Sequence, residues 1–396
     1  MNFVFISPQF PRTYWQFCDR LQRNGVNVLG IGDTPYDQLS PECRGALNEY
    51  YRVDNMEDYD QMYRAVAFFA SKYGRIDWLE SNNEYWLEQD AQLRTDFNIT
   101  TGVQAHEIGS WKSKSAMKPY YIAAGVPVAR CHKVEGREDT EAFLEEVGYP
   151  VIVKPDIGVG AADTYKLEKP EDLDWFFSVK PDVPYLMEEF ITGDIRSYDV
   201  ITDADCNPLF ESMTCWPPSI ADIVNRQEDL SYYTAADVDE KLRALGRATV
   251  KSFNVRSRFV HLEFFHLTQP RKGLAEVGDF MGLEVNMRPA GGYTPDMMDF
   301  AHATDVYQIW ADMVAFNERR VPENHEDHCC VYAGRRDIHQ YRHSHEEILQ
   351  RYGSRIVMCE RIPDVLSGAM GNQMYTLHAA DENEVREIIA FVQEQI

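Results

Sequence analysis

The sequence predicts an α/β protein: a parallel sheet with covering helices, then a mixed α+β region, then a small α/β unit. Three observations carry that prediction. Over the first eighty residues, β-prone and helical segments alternate at short pitch, the pattern of strands linked by crossover helices. From Ser110 the style changes, and strands appear that hold charged residues among apolar ones. From Cys330 the chain reads strand, helix, strand, strand, helix. With 396 residues and 44% hydrophobic composition there is material for two to four such units.

Taken in order, residues 2–7 are a first strand, 14–24 repeat at helical spacing and stop at Gly25, and 26–31 are a second strand. Residues 50–53 give a third strand, 58–73 a helix ended by Gly74, and 76–80 a fourth strand. No G-x-G-x-x-G follows the first strand, so the usual dinucleotide fingerprint is absent. Lys112 and Lys114 then lead a helical run that stops at Ala124-Gly125-Val126-Pro127, with Pro119 either kinking or starting it. A helix over 140–147 ends at Gly148-Tyr149-Pro150 and gives way to the strand Val151-Ile152-Val153-Lys154-Pro155. Residues 185–191 form another strand. A helix runs from Asp239-Glu240 toward Phe253, its acids at the end the helix dipole favours. Two strands follow at 258–267 and 283–287, and the last helix spans 382–393.

Composition excludes several functions. The net charge of −25, from 64 acids against 39 bases, repels nucleic acid and anionic lipid, and no basic patch offsets it. No run of eighteen apolar residues exists to span a membrane, and the N-terminus lacks the basic and long apolar segments of a signal peptide. The eight scattered cysteines form no C-x-x-C pair and read as reduced thiols, so a cytoplasmic protein is expected. The oligomeric state leaves no mark in the sequence.

The chemistry concentrates in two places. Lys154 closes an apolar strand, where an ammonium needs an anion to meet it. Gly158 and Gly160 follow in a stretch of small residues, where backbone N–H groups can approach phosphate oxygens. The second place is Glu263, on one strand, with Glu284, Asn286 and Arg288 on the next. Residues two apart on a strand share a face, so the last three project together. Two carboxylates and an amide oxygen make a hard-oxygen shell suited to Mg²⁺, and Arg288 adds a planar fork for phosphate or carboxylate.

In this order, these elements resemble the ATP-grasp superfamily of carboxylate–amine ligases over about residues 110–295. The segments His261-Leu262-Glu263 and Glu284-Val285-Asn286-Met287-Arg288 look closest to its L-amino-acid ligase branch. The resemblance implies a Rossmann-like pre-ATP-grasp domain at 1–109, a small lid subdomain at 110–192, a large metal-bearing subdomain at 193–320, and a C-terminal α/β extension at 321–396. Lys114, eleven residues before Gly125, and Lys154 match the two lysines that contact ATP phosphates. Glu188, Glu189, Phe190 and Ile191 match the hinge that reads the adenine edge. Glu263, Glu284 and Asn286 match the ligands of Mg²⁺, with Mn²⁺ as a substitute. Arg288 matches the arginine that steadies the transferred group, and His261 points the same way as Glu263. The place where the family often has a ribose-binding acid holds Ile195, with Asp194 and Asp199 nearby. The connection over 268–280 is longer than usual.

The implied reaction activates a small carboxylate as an acyl phosphate, which an amine then attacks. Two other readings share the ATP site: a carboxylase-like enzyme using bicarbonate, against which stands the lack of a biotin-carrying segment, and a nucleotide-binding protein without turnover.

Overall fold

The computed structural model describes residues 1–396 except 159–162, 218–222, 224–225 and 325–326. In β1 (Asn2–Ile6), Phe3, Val4, Phe5 and Ile6 are all buried, so this strand is covered on both faces. It sits inside a parallel sheet with β2 (Asn27–Gly32), β3 (Glu49–Arg52) and β4 (Trp78–Glu80), in the order β3-β2-β1-β4. Val4 and Ile6 pack with Met62, Val66 and Phe69 of the helix Tyr59–Tyr73. Phe3 and Phe5 pack with Phe17 and with Tyr307 and Trp310 of the distant helix Val306–Phe316. The N-terminal sheet therefore shares a core with the rest of the chain.

A second sheet is antiparallel, in the order β5-β8-β6-β7: β5 (Cys131–Val134), β6 (Val151–Pro155), β7 (Tyr165–Leu167) and β8 (Tyr185–Glu189). The helices Arg137–Val147 and Pro170–Val179 cover it through Phe143, Leu144, Leu173 and Phe176.

The third sheet is antiparallel and eight-stranded. It comprises β9 (Gly193–Thr202), β10 (Pro208–Trp216), β11 (Ser231–Thr234), β12 (Arg258–Leu267), β13 (Phe280–Asn286), β14 (Cys329–Arg335), β15 (Ile356–Arg361) and β16 (Gln373–Ala379), in the order β13-β12-β9-β10-β11-β14-β16-β15. Residues 321–396, expected as a small unit of their own, instead extend this sheet, because β11 pairs with β14 and Tyr232 stacks on Tyr332 at 4.9 Å. β14 is buried on both faces, with Cys330 and Tyr332 in one cluster and Cys329, Val331 and Ala333 in another, so it has no free face to show solvent. A helix, Asp364–Met370, also separates the last two strands, which were expected to follow directly. All eight cysteines are free thiols. Among the described residues, no helix is long and apolar enough to cross a membrane.

Candidate active site

The helix Lys114–Ala123 carries the first lysines, and two anchors fix it. At its N-terminus Ser113 caps Ala116, and Asp156 accepts from Ser113 Oγ (2.8 Å), the Ser115 N–H (2.8 Å) and Ser115 Oγ (3.0 Å). Asp156 follows β6 by one residue, so the helix start is tied to the strand end that carries Lys154. Further along, Tyr121 donates to the Glu284 carbonyl at 2.9 Å, and its ring lies over Gly282. A Cβ at Gly282 would come within 2.5 Å of that ring, so only glycine allows the helix to seat on β13. Pro119 sits inside the helix and does not start it.

Glu263 and Glu284 lie directly opposite each other in the β12–β13 register, as do His261 and Asn286. Their side chains thus share one face of the sheet. Lys114 Nζ stands 3.1 Å from Glu284 Oε1 and donates to the Gly158 carbonyl at 3.2 Å. His261 bridges two carboxylates, with Nδ1 2.6 Å from Asp199 and Nε2 3.0 Å from Glu263. Burial pushes its pKa down, but Asp199 and then Glu263 outweigh that and raise it to about 9, so the ring is a cation donating to both. Burial likewise opposes ionisation of Glu263, yet His261, Arg288 and Lys154 hold its pKa below the usual range.

On the facing sheet, Glu188 is gripped at 2.5 Å by both Lys118 and Lys154. Burial works against its charge, but Lys154 and Lys118 prevail and set its pKa at about 2. For Lys154, burial is outweighed by Glu188, then by Glu284 and Glu263, and its pKa rises. Arg288 lies just past β13, its Nε 3.5 Å from Glu84, whose other oxygen takes Lys112 at 2.7 Å. Glu263, Glu284 and Asn286 thus share one face, with Lys114 beside Glu284, Arg288 3.4 Å from the Asn286 amide oxygen, and Lys154 in the fields of both glutamates. Hard oxygens on neighbouring strands suit Mg²⁺ or Mn²⁺, and the surrounding cations suit a phosphate chain.

No protein-family model matches the chain. The chain is 24% identical over 290 residues to an L-arginine-specific L-amino acid ligase of Bacillus subtilis, covering 71% of this chain and 67% of that one. It superposes on the crystal structure of an L-amino acid ligase from Bacillus licheniformis with a TM-score of 0.70 at 15% identity, over 98% of this chain and 97% of the other. The N5-carboxyaminoimidazole synthetase of Staphylococcus aureus, solved with ADP, gives 0.69 at 14% identity over 98% and 95%. The chain shares the fold of these structures. The β5–β8 sheet and the β12–β13 face meet at these residues, where Lys154 lies in the fields of Glu263 and Glu284.

Several expected site residues stand elsewhere. Glu189 turns its carboxylate away from this cleft: it accepts from Arg130 at 2.8 Å and Arg271 at 2.6 Å and is fully buried. Neighbours on a strand face opposite ways, so Glu188 and Glu189 cannot both reach the cleft. Arg271 comes from the long 268–280 connection, whose length delivers it there. Ile191 packs with Ala129, Leu267 and Met281 and offers no polar atom from its side chain. The Phe190 ring carries Lys166 Nζ at 4.6 Å. Asp199 serves His261, while Asp194 lies opposite His266 on the neighbouring strand. Gly158 is beside Lys114; Gly160 lies outside the described residues.

Sequence reasoning missed Lys118 and Glu84, and it weighed Asp199 beside the ribose position and not as the partner of His261. Lys118 had a signal, since it follows Lys114 by four residues and so shares its helical face. Asp199 had only the alternation of β9, and Glu84 opens a single 3-10 turn, Glu84–Trp86, too short to leave a pattern.

Proposed function

We propose that this chain is an ATP- and Mg²⁺-dependent ligase that activates a small carboxylate as an acyl phosphate and joins it to an amine. The observation that carries this reading is the meeting of Lys114 and Lys154 with Glu263 and Glu284, brought from two sheets and a helix to one cleft. The likeness to an L-arginine-specific L-amino acid ligase supports the bond type.

In this reading Glu263, Glu284 and Asn286 would hold Mg²⁺, or Mn²⁺ in its place, which would supply positive charge for the phosphate oxygens. Lys114 and Lys154 bind the phosphates directly. Lys118 keeps Glu188 ionised and fixed, which leaves Lys154 held at its post. Gly158, with Gly160, offers backbone N–H groups, and residues 188–191 present backbone groups to the adenine edge. Arg288 grips the carboxylate and the phosphoryl group it receives, and His261 orients Glu263. Residues 110–192 act as a lid over 193–320, which excludes water from a labile acyl phosphate. The partners are small molecules in the cytoplasm, in keeping with the acidic surface.

The test is phosphate release from ATP and Mg²⁺ across pairs of small carboxylates and amines, with mass spectrometry of the product. A condensed product with one ADP per bond is expected. ADP formed only with bicarbonate, or no ADP with any pair, contradicts the proposal.

A further inference from the structure

A cavity of about 980 Å³ opens at the carboxyl ends of β1, β2 and β4, against the helix Thr294–His302 and β15. That volume suits a small organic ligand. It adjoins the phosphate cleft, for Asn83 and Tyr85 line it on either side of Glu84, the partner of Arg288. Tyr14, behind its wall, stands in the fields of both Arg288 and Asp296.

Its charges are lopsided. Asp33, Glu42, Asp296 and Glu360 line it, against Arg12 alone, and Arg12 already pairs with Glu360 at 3.3 Å. The decisive group is Asp296. It is 8% exposed, and its partners are neutral donors: Gln16 at 2.9 Å and the Tyr307 hydroxyl at 3.1 Å. Among the described residues no cation reaches it. Burial accordingly lifts its carboxyl to about 6, the signature of an acid lacking a counter-charge. A second, independent feature lies on the same wall. Tyr293 is 3% exposed, lines the cavity, and its hydroxyl has no hydrogen-bond partner among the described residues. Buried polar groups in folded proteins are nearly always satisfied, so an orphaned hydroxyl on the same cavity lining as a carboxylate without a counter-charge marks a place where a ligand atom belongs. The Phe10, Tyr85 and Trp86 rings on the cavity lining add faces that favour a positive charge.

We propose that this cavity selects a substrate carrying an ammonium or guanidinium away from its reacting atom, held by Asp296 with Tyr293, and rejects anions of the same size. This rests on the ligase reading, in which the cavity delivers substrate toward Arg288, and it narrows that substrate to organic cations.

The test is calorimetric titration of the full chain, with and without a bound non-hydrolysable ATP analogue and Mg²⁺. The probes are 1,5-diaminopentane and agmatine, with 1,5-pentanediol and glutarate as neutral and anionic matches. Both cations should bind at least tenfold more tightly than the diol or glutarate, and Asp296→Asn should remove at least that factor. A tighter grip on agmatine identifies a guanidinium site, and a tighter grip on the diamine an ammonium site. Equal binding of the diol or glutarate overturns the inference, as does Asp296→Asn without effect. If Asp296→Asn does not fold, Tyr293→Phe and Glu360→Gln take its place; each should weaken both cations by about two- to fivefold, and unchanged affinity in both overturns the inference. Failure of the ATP analogue to bind counts against the phosphate cleft itself, and the nucleotide-free titrations still decide the cation question.

Discussion

Two of the buried carboxylates that are each held by two cations differ in the cation chosen. Glu188 sits between Lys118 and Lys154 in the cleft, while Glu80 sits between Arg94 and Arg258, where β4 of the first sheet meets β12 of the third. Arg258 grips Glu80 with two nitrogens, at 2.8 and 3.0 Å, and its Nε donates to the Met287 carbonyl; Arg94 is spent on the Leu79 and Val103 carbonyls. Every guanidinium nitrogen of that cluster is tied to the scaffold or to Glu80. The lysines are point charges on flexible stems, so each can keep Glu188 and still turn a proton toward an incoming phosphate. The arginine cluster locks two sheets together; on the proposed function, the lysine cluster holds charge for a ligand.

If that contrast is right, mutations in the two clusters should separate activity from stability. Lys154→Met should lower ADP formation by about a hundredfold or more, the usual scale for losing a charge-stabilising donor, with a smaller loss of stability than Glu80→Gln because Lys118 still meets Glu188. A normal rate would put Lys154 outside the chemistry. Glu80→Gln should do the reverse, leaving two buried guanidinium groups without their anion at a cost of about 3–5 kcal/mol in denaturant unfolding. Glu189→Gln tests whether the acid beside Glu188 belongs with the scaffold. A stability loss of about 1–3 kcal/mol, with ATP affinity retained, is expected because Arg130 and Arg271 are partly exposed. The smallest effect concerns acid. Glu188 has a folded pKa of about 2, below its usual 4.5, so its contribution is fully present above 4.5 and fades as pH falls toward 2. Glu188→Gln should therefore flatten the acid limb of the unfolding curve; an identical limb would show that the lysines do not hold it.

Sequence legibility followed the same divide. β1, β6 and β12 were readable because their apolar runs end in clear breaks, and Lys154, Glu263 and Glu284 stood out as charges inside such runs. β9 and β10 were not, since Gly193-Asp194-Ile195-Arg196-Ser197 shows little apolar content before its pairing with β12 supplies a reason to be a strand. The tail read as a separate unit because β14 finds its partner β11 some hundred residues earlier, and no local pattern records that pairing. The hinge pair failed on orientation: adjacent glutamates look equivalent in sequence, but the pleat gives one to the cleft and the other to the Arg130–Arg271 clamp. The Glu80 cluster was invisible for a similar reason, since its three members lie on separate segments joined by long-range packing.

Calorimetry of ATP binding with and without Mg²⁺, in the natural protein and in Glu284→Gln, bears most directly on the convergence of these groups. The natural protein should bind ATP much more tightly with Mg²⁺. In Glu284→Gln that gain should vanish while metal-free ATP binding through Lys114 and Lys154 persists. An undiminished Mg²⁺ effect in Glu284→Gln would contradict the assignment of the β12–β13 face as the metal-holding jaw.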